Sequence, residues 1–180
     1  MDVPIITNGA IYSPYYVFVR CSGHCCDRDL LEAIGATDYV LDATPSHDRH
    51  CVFITEEDEW VHVAEGLSFW LCPGPDTSPG VSALALKHEL FTFAVGDADS
   101  SYSFEYHREG QLVRRLIVED PSYRGGVVIE DWGEPLIGEP THPITDLDGL
   151  VESMLRIARG VGISIHHNVA SIRAYTRARD

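Results

Sequence analysis

The strongest constraint in this sequence is a run of residues with a period of two. Tyr102, Phe104 and Tyr106 alternate with polar residues, which is the pattern of a strand with one buried face. The short polar segment 108–110 then leads into a second apolar run at 112–118. Two such runs joined by a tight turn form an antiparallel hairpin. The hairpin excludes an all-helical fold and indicates an antiparallel sheet.

The rest of the chain contains more strands than helices. Aromatic and β-branched runs predict further strands at 15–20, 39–41, 51–55, 60–64, 90–95 and 127–129. Helical spacing of apolar residues predicts helices at 29–35, 81–88 and 145–159. The last of these helices carries a continuous apolar stripe. Proline and glycine predict irregular connections at 73–80 and 130–143.

These elements predict a single α+β domain over residues 1–165. Its main part is an antiparallel sheet, with the C-terminal amphipathic helix 145–159 packed on one face. The length of 180 residues fits one domain. Residues 166–180 contain several arginines and are predicted to form a basic, frayed C-terminal tail.

The charge and cysteine content of the chain exclude several classes of protein. With 28 acidic and 13 basic side chains, the formal net charge is −15. Nucleic acid and anionic membranes repel such a surface, so neither is an expected partner. No apolar run approaches the roughly 18 residues that span a bilayer, and the N-terminus has no secretory signal pattern. Five cysteines are an odd number, typical of reduced thiols, and a cytoplasmic location is predicted.

One cluster of cysteine and histidine contains the ligand types that zinc prefers. It comprises cysteines and a histidine at 21–26, with His47, His50 and Cys51 further along the chain. The spacing lacks the paired C-x2-C motif of structural zinc sites. Free cysteines are more often buried as small apolar residues. The second interpretation is favoured, so no metal and no other cofactor is predicted.

A small hydrolase is the alternative function. Asp97 and Asp99 could serve as acid and base together with His62 or His107. The competing interpretation of the two carboxylates is a solvated turn between strands. The chain lacks a nucleophile elbow, a P-loop, a dinucleotide-binding fingerprint and an H-E-x-x-H motif. No catalytic residue is therefore predicted, and a non-enzymatic function is favoured.

Acidic residues stand beside an aromatic residue at three places in the chain. At a protein interface, an exposed aromatic ring supplies buried area while carboxylates attract a basic partner. The competing interpretation is that the rings face the core and the acids only solvate the surface. The partner-binding surface predicted from this pattern consists of Glu56, Glu57, Asp58, Glu59, Trp60, Asp97, Asp99, Tyr102, Asp131 and Trp132.

Two segments carry a resemblance to known proteins. GDADSSYSF at 96–104 and GQLVRR at 110–115 are similar to a strand, acidic turn and strand stretch of small acidic bacterial proteins. Some of those proteins resemble immunity proteins, which neutralise interbacterial toxins. The resemblance covers residues 81–140 and implies a cytoplasmic α+β protein that binds and occludes a partner. The resulting hypothesis is a non-catalytic protein-binding module of the immunity or antitoxin type, with a basic toxin domain as partner and an open oligomeric state.

Overall fold

The computed structural model of the protein describes most of the chain. The described residues are 5–7, 10–12, 15–21, 26–43, 51–65, 79–95, 101–119, 127–141, 144, 147–164 and 172–178. The strands in this part are β1 (Ile5–Thr7), β2 (Ala10–Tyr12), β3 (Tyr15–Arg20), β4 (Tyr39–Asp42), β5 (Cys51–Glu57), β6 (Trp60–Glu65), β7 (Glu89–Val95), β8 (Tyr102–Arg108), β9 (Gln111–Glu119), β10 (Val127–Trp132) and β11 (Arg173–Arg177). The helices in this part are α1 (Asp27–Ala33), α2 (Pro79–Ala85) and α3 (Leu147–Gly160).

Nine of these strands form one sheet in which every neighbouring pair is antiparallel. The order across the sheet is β10-β9-β8-β7-β3-β6-β5-β11-β4. The antiparallel sheet predicted from the hairpin is confirmed, since β8 and β9 pair through a tight turn. β1 and β2 form a separate two-stranded sheet, which the sequence patterns did not predict.

Helices cover both faces of the large sheet. Successive side chains of a strand point to opposite faces, so Tyr16 and Phe18 of β3 lie on one face and Val17 and Val19 on the other. All four are buried. The first face carries an aromatic cluster against which α3 packs, and the second carries an aliphatic cluster that includes residues of α1 and α2. α3, at Leu147–Gly160, overlaps the helix predicted at 145–159, and the second face has helices of its own, α1 and α2.

The basic C-terminal segment is part of the sheet, so the prediction of a frayed tail is wrong for 173–177. β11 inserts between β4 and β5 and pairs with both. Its first residue, Arg173, forms ion pairs with Asp27 of α1 and Glu56 of β5. The segment is ordered because two strands supply its backbone partners and acidic side chains neutralise its charge.

A buried arginine fixes the irregular segment that follows β10. The guanidinium of Arg114 forms ion pairs with Asp131 and Glu139. It also donates to the carbonyl oxygens of Trp132 and Gly133, at 2.9 Å and 3.1 Å. Burial by itself lowers the pKa of this guanidinium, but the two carboxylates raise it above its usual value. Arg114 therefore stays charged and holds the segment against β9.

Two glycines let this segment pack closely on its neighbours. A Cβ atom on Gly133 would lie 2.1 Å from the carbonyl oxygen of Val113 on β9. A Cβ atom on Gly160, at the end of α3, would lie 2.0 Å from the carbonyl oxygen of Ile137. The segment is therefore held between the sheet and the end of α3 by backbone contacts that no larger residue permits.

We expect Gly160→Ala to lower the free energy of unfolding by about 2–3 kcal/mol, because backbone atoms must move apart to admit the methyl group. Gly162→Ala is the matched control. Gly162 has φ +90°, but a Cβ atom at this position would have no neighbouring atom within 4 Å. Gly162→Ala should therefore lower the free energy of unfolding only by the cost of placing alanine in a left-handed backbone conformation, about 1 kcal/mol. Urea unfolding followed by circular dichroism measures the free energy of unfolding of both variants. Equal losses of this free energy would show that the backbone contact between Gly160 and Ile137 is not tight.

Candidate functional site

One end of the sheet carries a polar cavity with a volume of about 740 Å³, which we call the turn-end cavity. The end of β3, the β5–β6 turn, the connection from α2 to β7 and the β8–β9 turn form its walls. Its volume falls within the range of about 300–1,000 Å³ that is common for ligand sites. The lining residues are Arg20, Cys21, Glu56, Asp58, Glu59, Val61, Leu86, Lys87, His88, Glu89, Arg108, Glu109 and Gly110.

The antiparallel register brings these connections to one place. Arg20 lies opposite both Trp60 of β6 and Glu89 of β7, so the ends of three strands coincide. Asp58 and Glu109 occupy the two hairpin turns, each with a φ of 54°. Residues other than glycine seldom adopt this left-handed backbone. The tight turns that result place both acidic residues in the cavity wall.

Carboxylates outnumber cations in the turn-end cavity. Five acidic residues line it, whereas Arg20, Lys87 and Arg108 supply the permanent positive charges. Arg20 forms ion pairs with Glu59 and, at 3.3 Å between Nη1 and Oε2, with Glu89. The hydrogen bond to Glu59 raises the pKa of the Arg20 guanidinium above its usual value. The remaining carboxylate excess favours a cationic ligand.

Glu89 is held in a fixed orientation by donors on both of its oxygens. The hydroxyl of Tyr106 donates to Oε1, and Arg20 donates to Oε2. Burial, together with the hydrogen bond to Glu89, raises the pKa of Tyr106 to about 12. Tyr106 is therefore a neutral hydrogen-bond donor at physiological pH.

His88 adds a neutral imidazole to the cavity. Burial, reinforced by the charge of Lys87, lowers the pKa of His88 below its usual value. Its Nδ1 atom is buried and has no hydrogen-bond partner among the residues that the structure describes. His88 therefore lines the cavity as an uncharged ring.

Sequence patterns indicated only part of this site. Glu56, Asp58 and Glu59 belong to the predicted partner-binding surface and line the cavity. Arg20, His88 and the other lining residues were not predicted, because they come from separate elements and no local spacing connects them. Their common position follows only from the order of the strands.

The predicted exposure of two aromatic rings is wrong. Trp60 and Tyr102 are 2% and 3% exposed and belong to the aromatic cluster under α3. Each occupies a strand position that faces α3, and the Tyr102 hydroxyl accepts a hydrogen bond from the Ile144 N–H at 3.2 Å. The acidic neighbours of the two rings did not indicate this burial. Successive residues of a strand face opposite sides of the sheet, so an exposed acid can stand next to a buried ring. Neither ring can contact a partner unless the core opens.

The other predicted surface residues lie elsewhere or outside the described part of the chain. Asp131 and Trp132 end β10 at the margin of the sheet, where Trp132 is 49% exposed. Glu57 is the last residue of β5, and its side chain is not described. Asp97 and Asp99 lie outside the described residues.

The two histidines of the alternative hydrolase site lie apart in the fold. His62 is fully buried, and its ring stacks on Phe18 and Tyr16 with centroids 4.6 Å and 5.7 Å away. It has no access to a substrate in the folded protein. His107 lies on β8 with Nε2 3.0 Å from a carboxylate oxygen of Glu105, which is itself buried. This arrangement uses His107 in a hydrogen bond inside the fold.

The oxidation state of the cysteines differs in part from the prediction that they are reduced thiols. Cys21 forms a disulfide bond, so the expectation of reduced thiols is wrong for this residue. A disulfide depends on the spatial proximity of two sulfurs, which the odd cysteine count did not reveal. Cys26 and Cys51 carry reduced thiols. Among the described residues, no group of three or more histidine, cysteine or acidic residues is placed to hold a metal ion.

Comparison with known proteins yields no match to this chain: no family model, curated protein or solved structure is similar to it. The resemblance of residues 81–140 to immunity-like proteins therefore stays a prediction. In the described part of the chain, no helix has the length and apolar character needed to cross a membrane. The turn-end cavity and the surface charges are the features that bear on function.

We expect Tyr106→Phe to flatten the alkaline loss of stability. The pKa of Tyr106 is about 12 in the folded protein against an ordinary value of 10. Its contribution to the free energy of unfolding is therefore complete below pH 10 and is lost as the pH rises through 12. Urea unfolding at pH 9 and pH 11 measures this loss, which the variant should reduce.

A spectrophotometric titration at 295 nm, which follows tyrosine ionisation, checks the raised pKa of Tyr106. Removing Tyr106 should remove a tyrosine that ionises near pH 12 in the native protein. Loss of a tyrosine that ionises near pH 10 would contradict the assigned hydrogen bond to Glu89.

Proposed function

We propose that this protein is a non-catalytic protein-binding module of the immunity or antitoxin type. It neutralises a toxin domain by occluding it with an acidic surface that includes an exposed aromatic ring. The observation that carries the proposal is the excess of carboxylates in the turn-end cavity. A concave site with one dominant sign of charge focuses the electric field and attracts a partner of opposite charge. The expected partner is therefore a basic protein.

Two carboxylates of the cavity are available to such a partner. Asp58 and Glu109 form no ion pair or hydrogen bond within the part of the chain that the structure describes. Lys87 and Arg108, which also line the cavity, are equally available for acidic groups of the partner. A mixed pattern of this kind selects one orientation of the partner and suppresses others.

Glu56 and Glu59 line the cavity and also face solvent. Each forms an ion pair, with Arg173 and Arg20 respectively, yet the two glutamate side chains remain 63% and 70% exposed. Exposed ion pairs contribute little to stability. Their main effect is on the field that an approaching partner encounters, so they can be reversed without unfolding the protein.

Asp131 and Trp132 supply a second contact area. The indole of Trp132 is exposed, and an aromatic ring at the surface is the kind of residue that contributes most to interface energy. Trp60 and Tyr102 have no part in this contact because they are buried. Asp97 and Asp99 remain predicted members of the surface.

A cytoplasmic location and the α+β class belong to the same proposal. The reduced thiols of Cys26 and Cys51 support a reducing compartment, and the disulfide of Cys21 opposes it. The α+β assignment rests on the exclusively antiparallel pairing of the described strands.

The experiment that tests the proposal is affinity capture from the native lysate at low and at high salt, with mass spectrometry of the eluate. A single stoichiometric partner with a basic surface, released by salt, is the expected result. Recovery of no partner at either salt concentration would contradict the proposal.

We expect reversal of Glu56, Asp58 and Glu59 to lysine to slow association with that partner by about tenfold or more at low salt, because rim charges act mainly on the association rate. The matched control reverses Glu32, Asp38 and Glu152, three acids of exposed ion pairs that do not line the cavity. Stopped-flow fluorescence measures the rates. Equal slowing by both triple variants would assign the effect to net charge alone.

A further inference from the structure

The charges that line the turn-end cavity are divided between its two ends. Glu56, Asp58 and Glu59 come from the β5–β6 hairpin and are all negative. Lys87 and Arg108 come from the connection between α2 and β7 and from the end of β8. We call the first group the acidic end of the cavity and the second group its cationic end.

Ion pairs neutralise the middle of the cavity, between these two ends. Arg20 of β3 pairs with Glu59 on one side and with Glu89 of β7 on the other. Tyr106 donates a further hydrogen bond to Glu89. These side chains are held in place before a ligand binds, which lowers the entropy cost of binding.

The charges that have no partner differ in sign between the two ends. Within the described ranges, Asp58 forms no ion pair or hydrogen bond at the acidic end. At the other end Lys87 and Arg108 are equally unpaired, and Glu109 offsets one of these two cations. A ligand that spans the cavity therefore meets a negative charge at one end and an excess of positive charge at the other.

The strand order sets the distance between the two ends. β6, β3, β7 and β8 are consecutive in the sheet, and neighbouring strands lie about 4.8 Å apart. Asp58 lies in the turn beside β6 and Arg108 ends β8, so these two residues are about 15 Å apart. A free amino acid cannot reach both ends, because its ammonium and carboxylate groups are attached to one carbon atom.

This distance and the cavity volume favour an extended peptide segment as the ligand. An extended chain advances about 3.3 Å per residue, so about five residues span the cavity. A helix of the same length has a diameter of about 10 Å and occupies roughly 1,200 Å³. The cavity volume of about 740 Å³ is smaller than this.

We propose that the turn-end cavity binds an extended segment of the partner, about five residues long, with a cationic side chain at the acidic end and a carboxylate at the cationic end. The inference rests on the proposed function, because it specifies which part of the partner enters the cavity. It also requires an acidic residue in that segment, whereas the net charge of −15 alone favours only basic ones.

Synthetic hexapeptides with blocked termini test this inference, with the folded full-length protein as receptor in about 0.15 M salt. Two peptides carry arginine and glutamate at opposite ends of an alanine–serine sequence, in the two possible orders, so that both chain directions are tested. A third has the same composition with the two charged residues adjacent. One of the first two should bind at least about fivefold more tightly than the third. NMR titration of the isotope-labelled protein measures the affinities.

Replacing the glutamate of the tighter peptide by glutamine separates the effect of the cationic end from that of net charge. The replacement makes the peptide more positive, so general attraction to a protein of net charge −15 would tighten binding. Loss of the contact with Lys87 and Arg108 should instead weaken binding by about threefold. Equal or tighter binding of the glutamine peptide would overturn the inference.

Two protein variants assign the ends of the cavity. Asp58→Asn, which keeps a residue type that tolerates the left-handed turn, should weaken binding of the tighter peptide by about threefold. It should have no effect on a peptide whose arginine is replaced by glutamine. Lys87→Gln should likewise weaken binding of the tighter peptide and have no effect on the peptide that lacks glutamate. Circular dichroism confirms that the variants are folded.

The matched control variants are Glu32→Gln and Arg28→Gln. These residues form an exposed ion pair on α1 and do not line the turn-end cavity. Each control should leave the affinity for the tighter peptide within about twofold. Equal weakening by the control and cavity variants would assign the effect to net charge and overturn the inference.

Two further outcomes would overturn the inference: equal binding of the peptide with adjacent charges, and no binding of any peptide at millimolar concentration. If a basic partner is nevertheless captured from the lysate, the proposed function stands without this inference. If the predicted peptide selectivity is observed but no partner is captured, the cavity is a peptide site and the proposed function is contradicted.

Discussion

The burial of β3 on both faces is the constraint on which the rest of the structure depends. Tyr16 to Val19 are all buried, so the sheet needs a helical cover on each side. With both faces of its centre covered, the described sheet carries its cavity where strands end and exposes apolar residues along the edge strands β10 and β4.

The positions of the arginines determine which carboxylates are neutralised and which contribute to the electric field around the protein. Arg114 and Arg173 neutralise carboxylates within the molecule, at the segment after β10 and at the insertion of β11. Arg20 performs the same role between Glu59 and Glu89. The chain has 13 basic and 28 acidic residues, so this internal use of arginine leaves other carboxylates to dominate the outward field. Asp58 and Glu109, which have no ion-pair partner within the described ranges, are two of them.

The elements that the sequence predicted correctly are those in which local pattern and tertiary packing agree. The alternation from Tyr102 to Tyr106 predicted β8, because the same face that is apolar in sequence lies under α3. The basic charge of residues 173–177 indicates a solvated tail, and this prediction is wrong. Its cations are instead compensated by Asp27, Glu56 and Asp38, acids that lie far from it along the chain, and no local window contains that information.

The sequence by itself determined the antiparallel hairpins, the amphipathic helix α3 and the acidic character of the surface, because periodicity and composition act over a few neighbouring residues. Only the tertiary structure decided that Trp60 and Tyr102 are buried while Trp132 is exposed. It also decided that Arg20, His88 and Glu109 share one cavity. The physical reason is that strand order and register bring residues together across the sheet, and these depend on the packing of the whole chain.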